Sequence, residues 1–370
     1  MASEMLYPVM PVFLQKIGFS ILLIGLLEGM AEALAGLSKS YFGKKSDVMG
    51  KRLPFVQVGY AFSAISKPMM GMFIFPLWIF LARTIDRIGK GIRTGARDAM
   101  LSNEATVETK ASVFGFHKSM DTLGAVLGPS IALIYLHYNP NQYRTLFFIA
   151  FIPGMVAIFA TLLIKEKTFI PKKETLTATN FFAFVGYWKK SPIQYKKLVI
   201  GLFVFALFNS SDVFLLLQLK ANGLTDSSVI GMYIFYNLIY ALAAYPLGML
   251  ADKLGLKCVL LSGLLICAIV YVGFSVHQNL VGYGILMALY GIYAAATEGI
   301  AKAWLSNMVD KSATATALGT FSGFQSIAAL LASSLAGLIW YTAGATYTFL
   351  VTAIGIFLVI IYLSFIQFKR

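Results

Sequence analysis

The residues of this chain best suited to chemistry are charged side chains set among apolar ones. Arg83, Asp86, Arg87, Lys90, Arg93 and Arg97 recur so that they share one face of a helix, an arc of roughly 120° at about 100° per residue. Arg87 stands about 16 Å of helix beyond Pro76, close to the middle of a bilayer. A charge there costs at least ~2.5–3.5 kcal/mol against lipid, so the stripe must face protein or water. Arg93, Arg97 and Asp98 at its far end belong at headgroup level. Asp86, Arg87 and Lys90 read either as a functional set or as an internal ion-pair network. Glu28 and Glu32 lie one turn apart on a shared face, as do His117 and Asp121. Glu298 and Lys302 stand at i, i+4 with the acid first, the order that favours pairing. Asn209-Ser210-Ser211-Asp212 places a polar cluster inside an apolar run, and Glu4 lies near the start of the chain. Carboxylates alternating with bases suit proton-coupled transport. For any single acid the alternative is a salt bridge that holds two helices together.

The elements that must position these residues are membrane spans. Of the 370 residues 58% are hydrophobic and 12% charged, and mean hydropathy is +0.77. A soluble domain carries about 25% charged residues, so lipid is the solvent for most of this chain. Apolar stretches fall at roughly 5–15, 19–42, 54–74, 76–100, 111–136, 144–164, 198–218, 227–250, 256–276, 279–305, 313–341 and 345–367. Runs of this length predict helices rather than barrel strands, which would alternate every second residue. The first is too short for the ~20 residues a span needs, so the expectation is a reading frame that extends upstream or a shortened chain. The net charge of +14 collects in the connectors Lys39–Arg52, Lys165–Lys197, Lys253–Lys257 and the tail Lys369–Arg370. The opposite connectors, around Phe73–Pro76, His277–Asn279 and Ala343–Ala345, hold no Lys or Arg. That asymmetry reports orientation, with the basic side cytoplasmic, and not nucleic-acid binding. Cys258 and Cys267 fall in one span as small packers, His117, His137 and His277 lack ligand spacing, and no GxxxxGK[ST] loop is present. No metal or cofactor is expected.

Residues 165–197 form the single long connector, with eight Lys, two Pro and the aromatics Phe181, Phe182, Phe184, Tyr187 and Trp188. They read as a cytoplasmic linker between an N-terminal half, 1–164, and a C-terminal half, 198–370. The halves match each other. Gly43-x3-Asp47-x2-Gly50-Lys51-Arg52 returns 205 residues later as Gly248-x3-Asp252-x2-Gly255-Leu256-Lys257. Lys90-Gly91-Ile92 pairs with Glu298-Gly299-Ile300, Gly115 with Gly319, and Ile134-Tyr135 with Ile339-Trp340, at nearly the same offset. Ordered matches of this kind indicate duplicated halves, as in carriers that alternate access around a midplane site. The glycines permit a tight connection and close helix approach. The Asp can cap a neighbouring helix or pair with an Arg.

The repeated loop resembles the cytoplasmic loop motif of the major facilitator superfamily. Gly115-x8-Gly124-x3-Gly128-Pro129 resembles the glycine-proline motif of drug/proton antiporters in that superfamily, with Ala132 and Leu133 where two more glycines usually close it. The strings Ser3-Glu4-Met5-x-Tyr7-Pro8, Asp86-Arg87-x-Gly89-Lys90-Gly91-x-Arg93, Arg97-Asp98-Ala99, Asn209-Ser210-Ser211-Asp212 and Thr297-Glu298-Gly299-x2-Lys302-Ala303 resemble a prokaryotic twelve-helix subgroup. The resemblance implies an all-α membrane protein, two pseudo-symmetric six-helix bundles, and a cavity lined by stretches 1, 2, 4, 5, 7, 8 and 10. It implies a secondary transporter rather than an enzyme: a monomer in the bacterial inner membrane that exports a small organic solute, anionic or zwitterionic given the stripe, coupled to protons. The alternatives are an uptake permease for a solute or metal chelate, a membrane sensor without flux, and an integral-membrane enzyme. Tyr236, Asn237, Tyr240 and Gln325 are further candidate cavity liners.

Overall fold

The computed structural model describes residues 2–6, 9–19, 21–140, 142–166, 183–209, 211–276 and 278–366, with the backbone alone at 11, 12, 15, 21–33, 37, 183–185, 226 and 227. Among the described residues there is no strand. The first apolar stretch is two short helices, α1 (Ala2–Leu6) and α2 (Val9–Lys16). The next five are α3 (Ile21–Met49), α4 (Leu53–Met72), α5 (Pro76–Glu104), α6 (Lys110–Tyr138) and α7 (Tyr143–Leu162). Within the linker, α8 (Ala183–Lys190) packs on α3. The seventh stretch is broken into α9 (Ile193–Phe208) and α10 (Val213–Ala221) at its polar cluster. Then follow α11 (Asp226–Leu254), α12 (Leu256–Phe274), α13 (Leu280–Asn307), a 3-10 turn at Lys311–Ala313, α14 (Thr314–Ala343) and α15 (Ala345–Phe365).

Local chemistry sets several of these ends. Pro76 opens α5, where a missing N–H costs nothing. Thr225 caps α11 by accepting from Ser228 N at 3.3 Å, and Asn279 caps α13 by accepting from Gly282 N at 2.8 Å. Gly50 (φ 64°) and Gly255 (φ 98°) turn the chain between α3 and α4 and between α11 and α12, in the left-handed region that glycine enters without strain. Eight of the described helices are long and apolar enough to cross a membrane. The charge stripe keeps α5 out of that set. Large apolar side chains such as Ile354, Phe357, Leu358 and Ile361 on α15 lie exposed, as they must where lipid is the solvent.

The chain forms two compact units. One comprises Met1–Asn103, Gly124–Lys190 and Asp310–Gly323. Its core joins Met5, Met10, Phe13 and Leu14 of the two short helices to Met70, Ile79, Leu146 and Phe147. Arg144 ties α7 to the C-terminal carbonyls of α4, donating to Gly71 O and Met72 O at 2.8 Å each. The other unit comprises Glu104–Leu123, Ser191–Val309 and Phe324–Arg370. Its core is built on α12, where Leu260, Leu264, Cys267, Tyr271 and Phe274 are buried, while Cys258 is exposed.

Candidate functional site

The repeated loop motif does the same mechanical work twice. In the first unit the Asp47 carboxylate accepts from the backbone N–H and hydroxyl of Thr316 at 2.7 and 2.8 Å, and from Arg52 at 2.7 Å. It therefore caps the start of α14 and also neutralises a buried guanidinium. Arg52 donates further to Lys311 O at 2.7 Å, and its backbone N–H, with that of Leu53, donates to Glu166. In the second unit Asp252 accepts from Ala111 N at 3.0 Å, from Ser112 N at 2.8 Å and from the Ser112 hydroxyl. It caps the start of α6 in the same manner. Thr316 and Ser112 lie 204 residues apart, so the duplication extends to the partners of the motif.

Glycine makes both junctions possible. A Cβ on Gly43 would lie 2.5 Å from Ala315 O, and one on Gly319 would lie 2.6 Å from Lys39 O. Cβ atoms on Gly248 and Gly115 would collide with Ala111 O and Ala244 O. Thus α3 meets α14, and α11 meets α6, backbone against backbone. The basic ends of the two copies diverge. Arg52 is buried in the network above, whereas Lys257 donates to Ser364 O and Ile366 O at 2.9 Å, at the end of α15.

Deeper in the first unit the charge stripe does face protein. Arg83, Asp86 and Arg87 are each less than a tenth exposed. The direct partner of Asp86 is not its neighbour on the stripe but Lys67 of α4, at 2.7 Å, a residue that the sequence reading missed. Lys67 also donates to the Ser3 hydroxyl at 3.0 Å, which links α1 to the pair. It is the one charge in α4, and an isolated lysine in an apolar span was signal enough. Lys90 is half-buried, Arg93 stacks 4.4 Å from the Tyr60 ring centre, and Arg97 pairs with Asp98 at 3.1 Å. Glu4 is half-buried on α1. Glu28 and Glu32 fall on α3, but their side chains lie outside the described residues.

In the second unit two polar groups stand out. Glu298 of α13 meets Lys118 of α6 at 2.7 Å, a partner beyond the expected Lys302, while Lys302 is half-buried one turn along. Asp121 is exposed and 4.0 Å from Lys118, and His117 is half-buried. At the break between α9 and α10, Asp212 accepts from Tyr290 OH at 2.6 Å and from Tyr236 OH at 2.8 Å. Tyr290 was not anticipated; Tyr236, Asn237 and Tyr240 are buried, and Gln325 is exposed. Gly124, Gly128 and Pro129 lie within α6, which passes from the second unit into the first at Leu123–Gly124.

Polytopic helices with paired charges inside them, and a duplicated loop that clamps helix starts, define a membrane transporter of the twelve-helix type. The chain belongs to the Major Facilitator Superfamily, whose family profile matches residues 1–235 and 199–369. An uncharacterised MFS-type transporter of Methanocaldococcus jannaschii, MJ1317, is 32% identical over 92% of this chain and 85% of its own length. The multidrug resistance protein MdtG of Klebsiella pneumoniae is 24% identical over 78% of this chain and 71% of its own. The solved human organic anion transporter MFSD10 has the same fold, with a TM-score of 0.83, 16% identity, and coverage of 98% of this chain and 95% of that one.

Proposed function

We propose that the protein exports a small organic solute in exchange for protons, by alternating access between the halves 1–164 and 198–370. The observation that carries this reading is the matched pair of carboxylate clamps, Asp47 on Thr316 and Arg52, and Asp252 on Ala111 and Ser112. Each holds a helix start through a few hydrogen bonds that water can replace. Such contacts can open and re-form without unfolding a helix, as a two-state carrier requires. The glycine-proline run of α6 and the name of the Klebsiella relative favour export over uptake. Within the first unit, Arg87 is the proposed anchor for an anionic group, with Asp86 and Lys67 fixing its helix. Glu28 is the proposed carboxylate that cargo displaces from Arg87 and that then takes up a proton. The expected setting is a monomer in the cytoplasmic membrane.

A thermal-shift screen of metabolites and drugs supplies a solute, and proteoliposomes supply the test. With an acidic lumen, the exporter accumulates labelled solute against its gradient, and a protonophore abolishes the accumulation. Accumulation driven instead by an acidic exterior would identify an uptake symporter, and flux indifferent to the gradient would remove proton coupling.

A further inference from the structure

The transport cycle makes no use of a groove that runs along α7 in the first unit. Ile149, Ile152, Val156 and Ala160 line it at three- and four-residue spacing, so it follows one face of the helix. Met5 of α1 and Ile131 of α6 help to complete the lining. Its volume is about 520 Å³, and every lining side chain is apolar. The residues of α7 explain why space is left there. Gly154 draws the helix onto α4, where a Cβ would lie 3.0 Å from the Ala64 Cβ. Pro153 deprives the Ile149 carbonyl of its helical donor and favours a bend. Ala157, which also lines the groove, carries too small a side chain to fill it.

Ile152 and Val156 are each 62% exposed, so the groove is open on the side that meets lipid. An empty apolar groove forfeits dispersion contacts, and acyl chains are what surrounds it. Its extent fits one chain of one leaflet. From Ile149 to Ala160 is roughly 16 Å of helix, and one leaflet of hydrocarbon is about 15 Å deep. Ala160 lies close to the end of α7 at Leu162, where the Lys-rich linker follows, so the groove belongs to the cytoplasmic leaflet. Its mouth is basic. Glu166 accepts from Arg52 N at 2.7 Å and from Leu53 N at 2.9 Å, which brings the neighbouring Lys165 and Lys51 to one corner. Gln57 donates to Thr161 O at 3.3 Å and holds α4 to the same end of α7. Lys51 and Lys165 are exposed, whereas both Glu166 oxygens are occupied by those N–H groups. The start of α4 adds the positive end of its dipole. A groove one acyl chain long under a cationic rim selects an anionic phospholipid over a zwitterionic one.

We propose that this groove is a specific site for one anionic phospholipid of the cytoplasmic leaflet, with an acyl chain along α7 and the phosphate at Lys51 and Lys165. The test is titration of the full chain in detergent with dioleoylphosphatidylglycerol, read by native mass spectrometry. Dioleoylphosphatidylcholine, with the same tails and no net charge, is the control. Wild type takes up one phosphatidylglycerol saturably, about ten- to thirtyfold more tightly than phosphatidylcholine, the preference two lysines near an anionic group supply. Ala157→Phe fills the groove and weakens binding of both lipids about tenfold or more. Ala160→Phe, at the exposed end of the groove, serves in its place if Ala157→Phe is not monodisperse. The double variant Lys51→Gln, Lys165→Gln still binds phosphatidylcholine, and its preference for phosphatidylglycerol falls to about threefold or less. Ile354→Phe, at a lipid-facing position of α15 away from the groove, binds as wild type does. No saturable single lipid, equal binding of the two lipids by wild type, or undiminished binding by a monodisperse groove-filling variant would each overturn the proposal. So would a lysine double variant that keeps the full preference, or loss of binding in Ile354→Phe. These readouts concern lipid alone and hold whichever way solute moves, so failure here leaves the export reading standing, and failure of export leaves the lipid site.

Discussion

Lys67 and Asp86 are both nearly fully withdrawn from solvent, at side-chain exposures of 1% and 5%, and neither can lose its partner cheaply. Breaking a buried pair by removing one member typically costs about 3–5 kcal/mol, because a charge is left without compensation. Lys67→Met should therefore lower the thermal midpoint of the purified protein by several degrees. The double variant Lys67→Met, Asp86→Leu should recover most of that loss, since an apolar pair of similar volume carries no desolvation cost. A double variant no more stable than the single one would show that the pair is not what holds α4 to α5. Arg87 is expected to behave differently, because its proposed work is on cargo. Arg87→Ala should abolish solute binding, and Arg87→Lys should fail as well, since a point charge does not replace a planar fork. Glu28→Gln should bind solute and lose the proton dependence of flux. If Arg87→Ala transports at the wild-type rate, the stripe is scaffold.

At the scale of helices, the four glycines Gly43, Gly319, Gly115 and Gly248 set how closely α3 approaches α14 and α6 approaches α11. A valine at Gly319 or Gly115 would force backbone apart, since the obstructing atoms are carbonyls that no rotamer change can move. Overpacking of this kind costs about 1–3 kcal/mol or more. Because the two junctions are copies, Gly319→Val and Gly115→Val should reduce transport to a similar degree. Gly231→Val on α11, with nothing within 4 Å of the added Cβ, should leave it unchanged. Flux assays on the three variants separate a junction effect from a general intolerance of β-branched residues in these helices.

For the whole molecule, the clamps predict which equilibrium a mutation shifts. Asp47→Asn keeps an acceptor for Thr316 but removes the counter-charge of Arg52, whereas the partners of Asp252 among the described residues are backbone and hydroxyl donors. Asp47→Asn should accordingly perturb the carrier more than Asp252→Asn. It should change turnover more than solute affinity, because it acts on the populations of states and not on cargo contacts. Spin-label distances between the N-terminal ends of α4 and α12 read this directly. An unchanged distance distribution in Asp47→Asn would remove the clamp from the transport cycle.

The amino-acid sequence by itself determined the solvent and showed the repeated loop. Hydropathy, loop charge and a repeated Gly-x3-Asp-x2-Gly string are properties of local segments, legible without any knowledge of what touches what. It also located the buried charges, because helix periodicity places Arg83, Asp86 and Arg87 on one face. Only the tertiary structure decided the partners. Asp86 turns to Lys67 on another helix and not to the adjacent Arg87, and Glu298 reaches Lys118 of α6. Asp212 finds phenols from α11 and α13: Tyr236, which the sequence offers as a cavity liner, and Tyr290, which looks there like ordinary apolar packing. Partner choice depends on which faces of distant helices meet, and side-chain periodicity along one helix carries no information about the next.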